Sequence, residues 1–134
     1  MTAPSLGFFV KLLVLDRAAS AAFYEGLGFV RVGADATFTH VRWEEHGDVM
    51  LVNAPTGVRV DGKRGWGVLL SFTSQTELGT IAERATALTA PHDGPETKPW
   101  HTRELIVTDP DGYRINFVRP LPDPLPLGER ETVS

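Results

Sequence analysis

One order of elements runs through this chain twice. Phe8 to Leu15 is an apolar run rich in β-formers, broken by Lys11, and reads as a strand buried on both faces or nearly so. Asp16 supplies a helix N-cap, and Ala19, Ala22, Phe23 and Leu27 place an apolar stripe along Arg17 to Leu27. Gly28 stops that helix. Phe29 to Val32, Ala36 to Glu44 and Val49 to Asn53 then read as three strands separated by turns at 33–35 and 45–48. The order restarts with a strand over Trp66 to Phe72. Thr73 or Ser74 caps a second helix running to about Leu88, with Leu78, Ile81, Ala85 and Leu88 on one face. Pro91 to Pro95 reads as a loop, Glu96 to Pro99 as an edge strand, and a hairpin closes the pattern. Phe9 and Gly67, 58 positions apart, open the two copies. Neither copy can bury its sheet face alone, so the two must pack together or exchange with a second chain.

The layout predicted is one α+β domain over 1–120, with βαβββ modules at about 7–54 and 66–119. A connector at 55–65 carries Pro55, Gly57 and Gly62 and has no period. The tail 121–134 holds three prolines in its first half and reads as a PPII-like segment, ordered only if it docks. At 134 residues the chain supports one domain with a real core. A net charge of −4 without a basic stripe argues against a nucleic-acid partner. No apolar stretch approaches the roughly 20 residues that span a membrane, and residues 1–5 lack a signal peptide's character. A soluble cytoplasmic protein is the expectation. The absence of cysteine excludes disulfides, thiolate nucleophiles and Cys-based metal sites.

The closing hairpin is the most specific local signal. Pro99 to Thr108 and Tyr113 to Val118 are β-rich runs flanking Asp109-Pro110-Asp111-Gly112, where proline presets φ and Asp-Gly tolerates left-handed geometry. This hairpin resembles the closing hairpin of the vicinal-oxygen-chelate superfamily, which includes glyoxalase I, bleomycin-resistance proteins and extradiol dioxygenases. Val10 to Phe29 likewise looks like that family's opening strand, N-cap and helix end, with Phe23-Tyr24-Glu25-Gly26-Leu27-Gly28-Phe29 as the matching stretch. The resemblance implies tandem βαβββ modules forming a funnel-shaped mixed sheet, the glyoxalase/bleomycin-resistance/dioxygenase fold.

In metal-using members, the resemblance places ligands at positions that fall here on Phe9, on Leu51 or a neighbour of it, on Gly67 and on Asn116. Phe, Leu and Gly offer no ligating side chain, and a neutral amide replaces the carboxylate. The expectation is therefore that the metal site is lost and that no cofactor is held. A non-standard site from His40, His101 and Glu104 is the competing reading. No nucleophile motif or phosphate loop stands out, and Ser71, Ser74 and Thr102 are isolated.

What remains points to a small-molecule pocket. Period two puts Phe9, Lys11 and Leu13 on one side of their strand, and Arg114, Asn116 and Val118 on one side of the last. Phe38, His40 and Arg42 share one face of the third strand; which face points inward is open. Trp66, Trp100 and Tyr113 stand at strand ends, with His101 and Glu104 beside the last hairpin. Lys11 is anomalous in an apolar strand and needs an acid, an anionic ligand or water. These residues are the candidate ligand-binding set. The function expected is metal-independent binding of an aromatic antibiotic or metabolite by a homodimer, as in the bleomycin-resistance branch, leaning away from an enzyme. A lyase, isomerase or dioxygenase with a displaced metal or metal-free acid–base groups is the alternative. A subunit whose funnel is filled by its own side chains is the third.

Overall fold

Asp16 divides the first strand from the first helix, as its residue type predicts. The structure, a computed structural model, describes residues 7–57 and 67–122; most of the connector, Trp66 and the tail from residue 123 lie outside the described residues. Strand β1 (Phe9–Val14) leads to helix α1 (Arg17–Leu27), whose first turn is capped by Asp16 Oδ1 accepting from the Ala19 amide at 3.0 Å. Strands β2 (Val30–Ala34), β3 (Phe38–Trp43) and β4 (Gly47–Asn53) complete the first module. Strand β5 (Leu70–Thr73), helix α2 (Leu78–Ala87) and strands β6 (His92–Lys98), β7 (Thr102–Thr108) and β8 (Arg114–Pro120) repeat the order.

Each module forms one four-stranded mixed sheet, ordered β1-β4-β3-β2 and β5-β8-β7-β6. The outer pairs β1/β4 and β5/β8 are parallel and the remaining neighbours antiparallel. One face of each sheet turns to a shared core. Leu12, Val14, Val41, Val49 and Leu51 come from the first sheet, and Leu105, Val107, Ile115 and Phe117 from the second. The modules meet through aromatic rings, with Trp43–Phe117 centroids 4.8 Å apart, Phe29–Phe72 5.8 Å and Phe29–Phe117 6.2 Å. The modules thus pack against each other within a single chain.

Several expectations shift. Helix α1 has the predicted bounds, but its buried face is Ser20, Ala21, Phe23, Tyr24 and Leu27, while Ala19 and Ala22 are exposed. The stripe turns because the buried hydroxyls are satisfied. Tyr24 donates to Asp109 Oδ2 at 2.6 Å and Ser20 to Asp111 Oδ2 at 3.2 Å. Helix α2 starts at Leu78, not at Thr73 or Ser74, and Glu77 at its N-cap makes no side-chain cap bond. Ser74 instead closes a local turn, its Oγ accepting from the Thr76 amide at 3.1 Å. Strand β6 begins at His92, inside the predicted loop, and accommodates the cis Gly94–Pro95 bond at a register shift between Asp93 and Glu96.

The β3–β4 and β7–β8 turns each reach across to the other module. Glu44, in the β3–β4 turn, accepts the Gln75 amide at 2.8 Å and the Thr76 amide at 3.1 Å. In the β7–β8 turn, Asp111 Oδ1 accepts the Leu15 amide at 3.1 Å, and Tyr113 donates its hydroxyl to the Leu13 carbonyl at 3.0 Å. Two glycines are required where the chain crosses itself. Gly28 has φ +120° and lies where a Cβ would meet Arg84 Nη1 at 2.5 Å; that guanidinium donates to the Leu27 carbonyl. A Cβ on Gly47 would meet Phe72 at 2.7 Å.

Candidate ligand-binding faces

Packing core side to core side leaves the opposite face of each sheet turned away from the shared interior. Strand β1 is therefore buried on one face only. Phe9 and Lys11 are exposed and Leu13 half-buried, so the ammonium that looked anomalous is in water. The ladder register arranges this face in rows: Leu13, Val52 and Phe38; Lys11, Met50 and His40; Phe9, Asp48 and Arg42. Phe38, His40 and Arg42 thus share a face with Phe9 and Lys11, which settles the orientation left open for β3.

Asp48 anchors this first face. Its Oδ1 lies 2.6 Å from Arg42 Nε and 2.7 Å from His40 Nε2, and His40 and Asp48 are both buried. Burial pushes the Asp48 carboxyl up, but the hydrogen bonds and charges of Arg42 and His40 outweigh it and hold the group below the usual carboxylate range. The result is a carboxylate matched by cationic and imidazole donors, framed by Phe9, Met50 and Phe38.

The second face is built differently. Ser71 pairs with Asn116, which pairs with Ile106; Thr73, Val118, Glu104 and Glu96 form the next row. Glu104 is the hub, with Oε2 accepting from Thr102 Oγ1 at 2.7 Å and Trp100 Nε1 at 3.0 Å, and Oε1 from Asn116 Nδ2 at 3.0 Å. Those bonds, the Thr102 hydroxyl first and the Trp100 indole second, hold the Glu104 carboxyl below its ordinary range. Asn116 Nδ2 also donates to Ser71 Oγ at 3.2 Å. Asn116 is 4% exposed, and its Oδ1 has no hydrogen-bond partner. A cleft of about 640 Å³ lies between the β3–β4 turn and β5, with Ser71, Phe72 and Thr73 in its lining.

The predicted residues therefore divide between two places. Phe9, Lys11, Phe38, His40 and Arg42 gather on the first face; Trp100, Glu104, Arg114 and Asn116 gather on the second. His40 stands on the first sheet and Glu104 on the second, so the alternative metal trio is not assembled on one face. Tyr113 packs against the shared core and spends its hydroxyl on the first module. His101 has φ +63° in the β6–β7 turn, where its carbonyl accepts the Leu121 amide at 2.9 Å. Trp66 lies outside the described residues. Asp48, Ser71 and Thr102 are the participants that sequence reasoning did not place in the set. Their partners are set by strand register, which no local pattern reveals.

The metal-ligand positions implied by the resemblance do not fit a divalent ion. Leu51 faces the core, and its outward neighbour is Met50. Lys11 opposes Met50 as Ser71 opposes Asn116, and the helices end at Gly28 and Leu88, so the copies repeat at an offset of 60. Leu69, not Gly67, thus matches Phe9, and Gly67 precedes β5. Of these positions only Asn116 offers an oxygen, and no group of three or more His, Asp or Glu able to hold a metal occurs among the described residues.

Comparison with known proteins agrees with this architecture. Residues 6–117 match the Glyoxalase/Bleomycin resistance protein/Dioxygenase superfamily, and the chain belongs to that family. Among similar solved structures is a bleomycin resistance determinant encoded on the transposon Tn5, 21% identical with a TM-score of 0.65, covering 87% of this chain and 98% of that one. A bleomycin-binding protein complexed with bleomycin is 20% identical with a TM-score of 0.67, over 86% of this chain and 98% of that one. An antibiotic binding protein from a Streptomyces species, TnmS3, is 23% identical with a TM-score of 0.63, over 90% and 99%. At such identities these likenesses establish the shared fold. No curated protein sequence matches the chain. No helix among the described residues is long and apolar enough to cross a membrane.

Proposed function

We propose that this protein binds a small aromatic molecule without a metal, in the manner its bleomycin-binding and antibiotic-binding structural relatives suggest. The observation that carries this reading is the pair of outward sheet faces. Each combines hydrogen-bonded polar groups with apolar or aromatic side chains, and neither presents a metal-ligand set. Phe8, Phe9 and Trp100 are exposed rings suited to stacking, and Leu69 is an exposed aliphatic group. The faces hold their carboxylates differently, Asp48 being bonded to Arg42 on one and Glu104 to neutral donors on the other. That difference supports a homodimer in which unlike faces meet around the ligand. Sequestration of an antibiotic in the cytoplasm is the role in keeping with this.

The test combines elemental analysis of the purified protein with a thermal-shift screen of bleomycin and other aromatic antibiotics. Absence of stoichiometric metal together with a raised melting temperature supports the binder. A tightly held metal ion refutes it. One observation favours a second reading, metal-free acid–base catalysis: His40 lies 2.7 Å from the Asp48 carboxylate, which fixes its ring as a general base requires. Turnover abolished by His40→Gln, with binding retained, would select that reading.

A further inference from the structure

The second face carries an unusual polar imbalance. Asn116 presents both of its amide hydrogens to neighbours, one to Glu104 Oε1 at 3.0 Å and one to Ser71 Oγ at 3.2 Å. Its orientation is dictated by chemistry, because an ionised carboxylate accepts only, and the reversed amide would set oxygen against oxygen. The carbonyl oxygen is consequently left buried and unpartnered, a state that costs about 1–3 kcal/mol wherever nothing fills it. Native folds rarely leave such a group without a use.

Charge points the same way. The hydrogen-bond donors on Glu104 are an indole, a hydroxyl and an amide, all neutral, and Lys98, whose charge also acts on Glu104, is paired with Glu96. Asp48 on the first face is the contrast, being bonded to the Arg42 guanidinium. Glu96 stands directly across the ladder from Glu104 and adds a second carboxylate to that row, with Lys98 3.4 Å from it. Arg114 is the cation on β8 that shares the face with Asn116. An occupant that satisfied Asn116 Oδ1 would need an N–H or O–H donor, and one that answered Glu104 would need positive charge. A protonated amine supplies both through one nitrogen.

We infer that Asn116 and Glu104 form a subsite for a protonated amine borne by an aromatic ligand, with Asn116 Oδ1 accepting its hydrogen bond and Glu104 supplying the countercharge. Trp100, a residue 63% exposed whose indole nitrogen is bound to Glu104, provides the adjacent surface on which the ring stacks. This inference rests on the binding reading above and adds the chemical class of ligand. Position 116 thereby recognises a cation on the ligand with the amide that stands where metal-using relatives are expected to hold a carboxylate.

Three indoles sharing one ring test it: tryptamine, indole-3-propionate and 3-ethylindole, titrated calorimetrically into the full chain at neutral pH with EDTA present. Tryptamine is expected to bind at least tenfold more tightly than the other two. Glu104→Gln, which removes the charge and keeps an oxygen to accept from the Trp100 indole, is expected to erase that preference. Asn116→Leu is expected to do the same. Equal binding of all three indoles to the unaltered protein overturns the amine subsite and leaves aromatic binding intact. Tighter binding of the propionate overturns it too. Failure of every indole and of bleomycin to bind overturns the binding reading itself, and the subsite with it.

Discussion

The two outward sheet faces occupy equivalent places in the repeat yet hold their carboxylates in opposite ways. On the first, Asp48 is met by Arg42 and His40, so charge is answered inside the protein. On the second, Glu104 is hydrogen-bonded by the neutral groups of Trp100, Thr102 and Asn116, and Lys98, the cation whose charge reaches it, is paired with Glu96. The backbone plan decides which residues point outward. Their side chains decide whether a face is self-sufficient or incomplete, and the incomplete face is where a ligand has most to contribute.

The largest effect that separates the faces comes from removing each carboxylate in turn. Asp48→Ala strands a buried imidazole and a partly buried guanidinium and is expected to cost about 4 kcal/mol in urea denaturation. Glu104→Ala releases only neutral donors and is expected to cost about 1–2 kcal/mol. Equal losses would break the contrast.

A pH response of about 3 kcal/mol is expected from the second module's turn. Burial pushes Asp109 from 3.8 up to about 6, against the pull of the Tyr24 hydroxyl and the Tyr113 and Asp111 amides. Because the folded state holds this proton more tightly than the unfolded state, stability rises as pH falls through about 6 and that gain is complete below about 4. Asp48 and Glu104, held low, act oppositely and withdraw stability as pH falls below about 4–5. Urea denaturation from pH 7.5 to 4 should therefore show an optimum near pH 5. Asp109→Asn should flatten its neutral side, and an unchanged profile would remove Asp109 as its source.

A smaller change sharpens the picture of how the modules are joined. Tyr24→Phe deletes the 2.6 Å bond to Asp109 and is expected to cost about 1–2 kcal/mol while leaving indole binding untouched. Lys11→Ala, in water on the first face, is expected to change stability by less than about 0.5 kcal/mol. A larger loss in dilute solution would show that Lys11 has a partner in the assembled protein.

Much of the plan was readable along the chain. Asp16 and Gly28 fixed both ends of α1, the face of α2 followed its spacing, and the Asp-Pro-Asp-Gly turn fell where its residue types demand. The misreadings share a cause. Ser20 and Tyr24 count as polar in any periodic scan, yet they are buried because Asp109 and Asp111 reach them from roughly 90 residues away. Ser71 and Thr102 looked isolated for the same reason. Their meaning lies in partners that strand register brings alongside, and register between distant strands leaves no local trace.

Sequence alone determined the doubled βαβββ order and the absence of ligating side chains at Phe9, Leu51 and Gly67, because alternation, caps and turn residues act within a few positions. Tertiary structure decided that the modules join core to core within one chain, that Lys11 stands in water, and that Asn116 keeps an unanswered oxygen. Those outcomes depend on which distant groups satisfy one another once buried, and only the folded arrangement brings such groups within hydrogen-bonding distance.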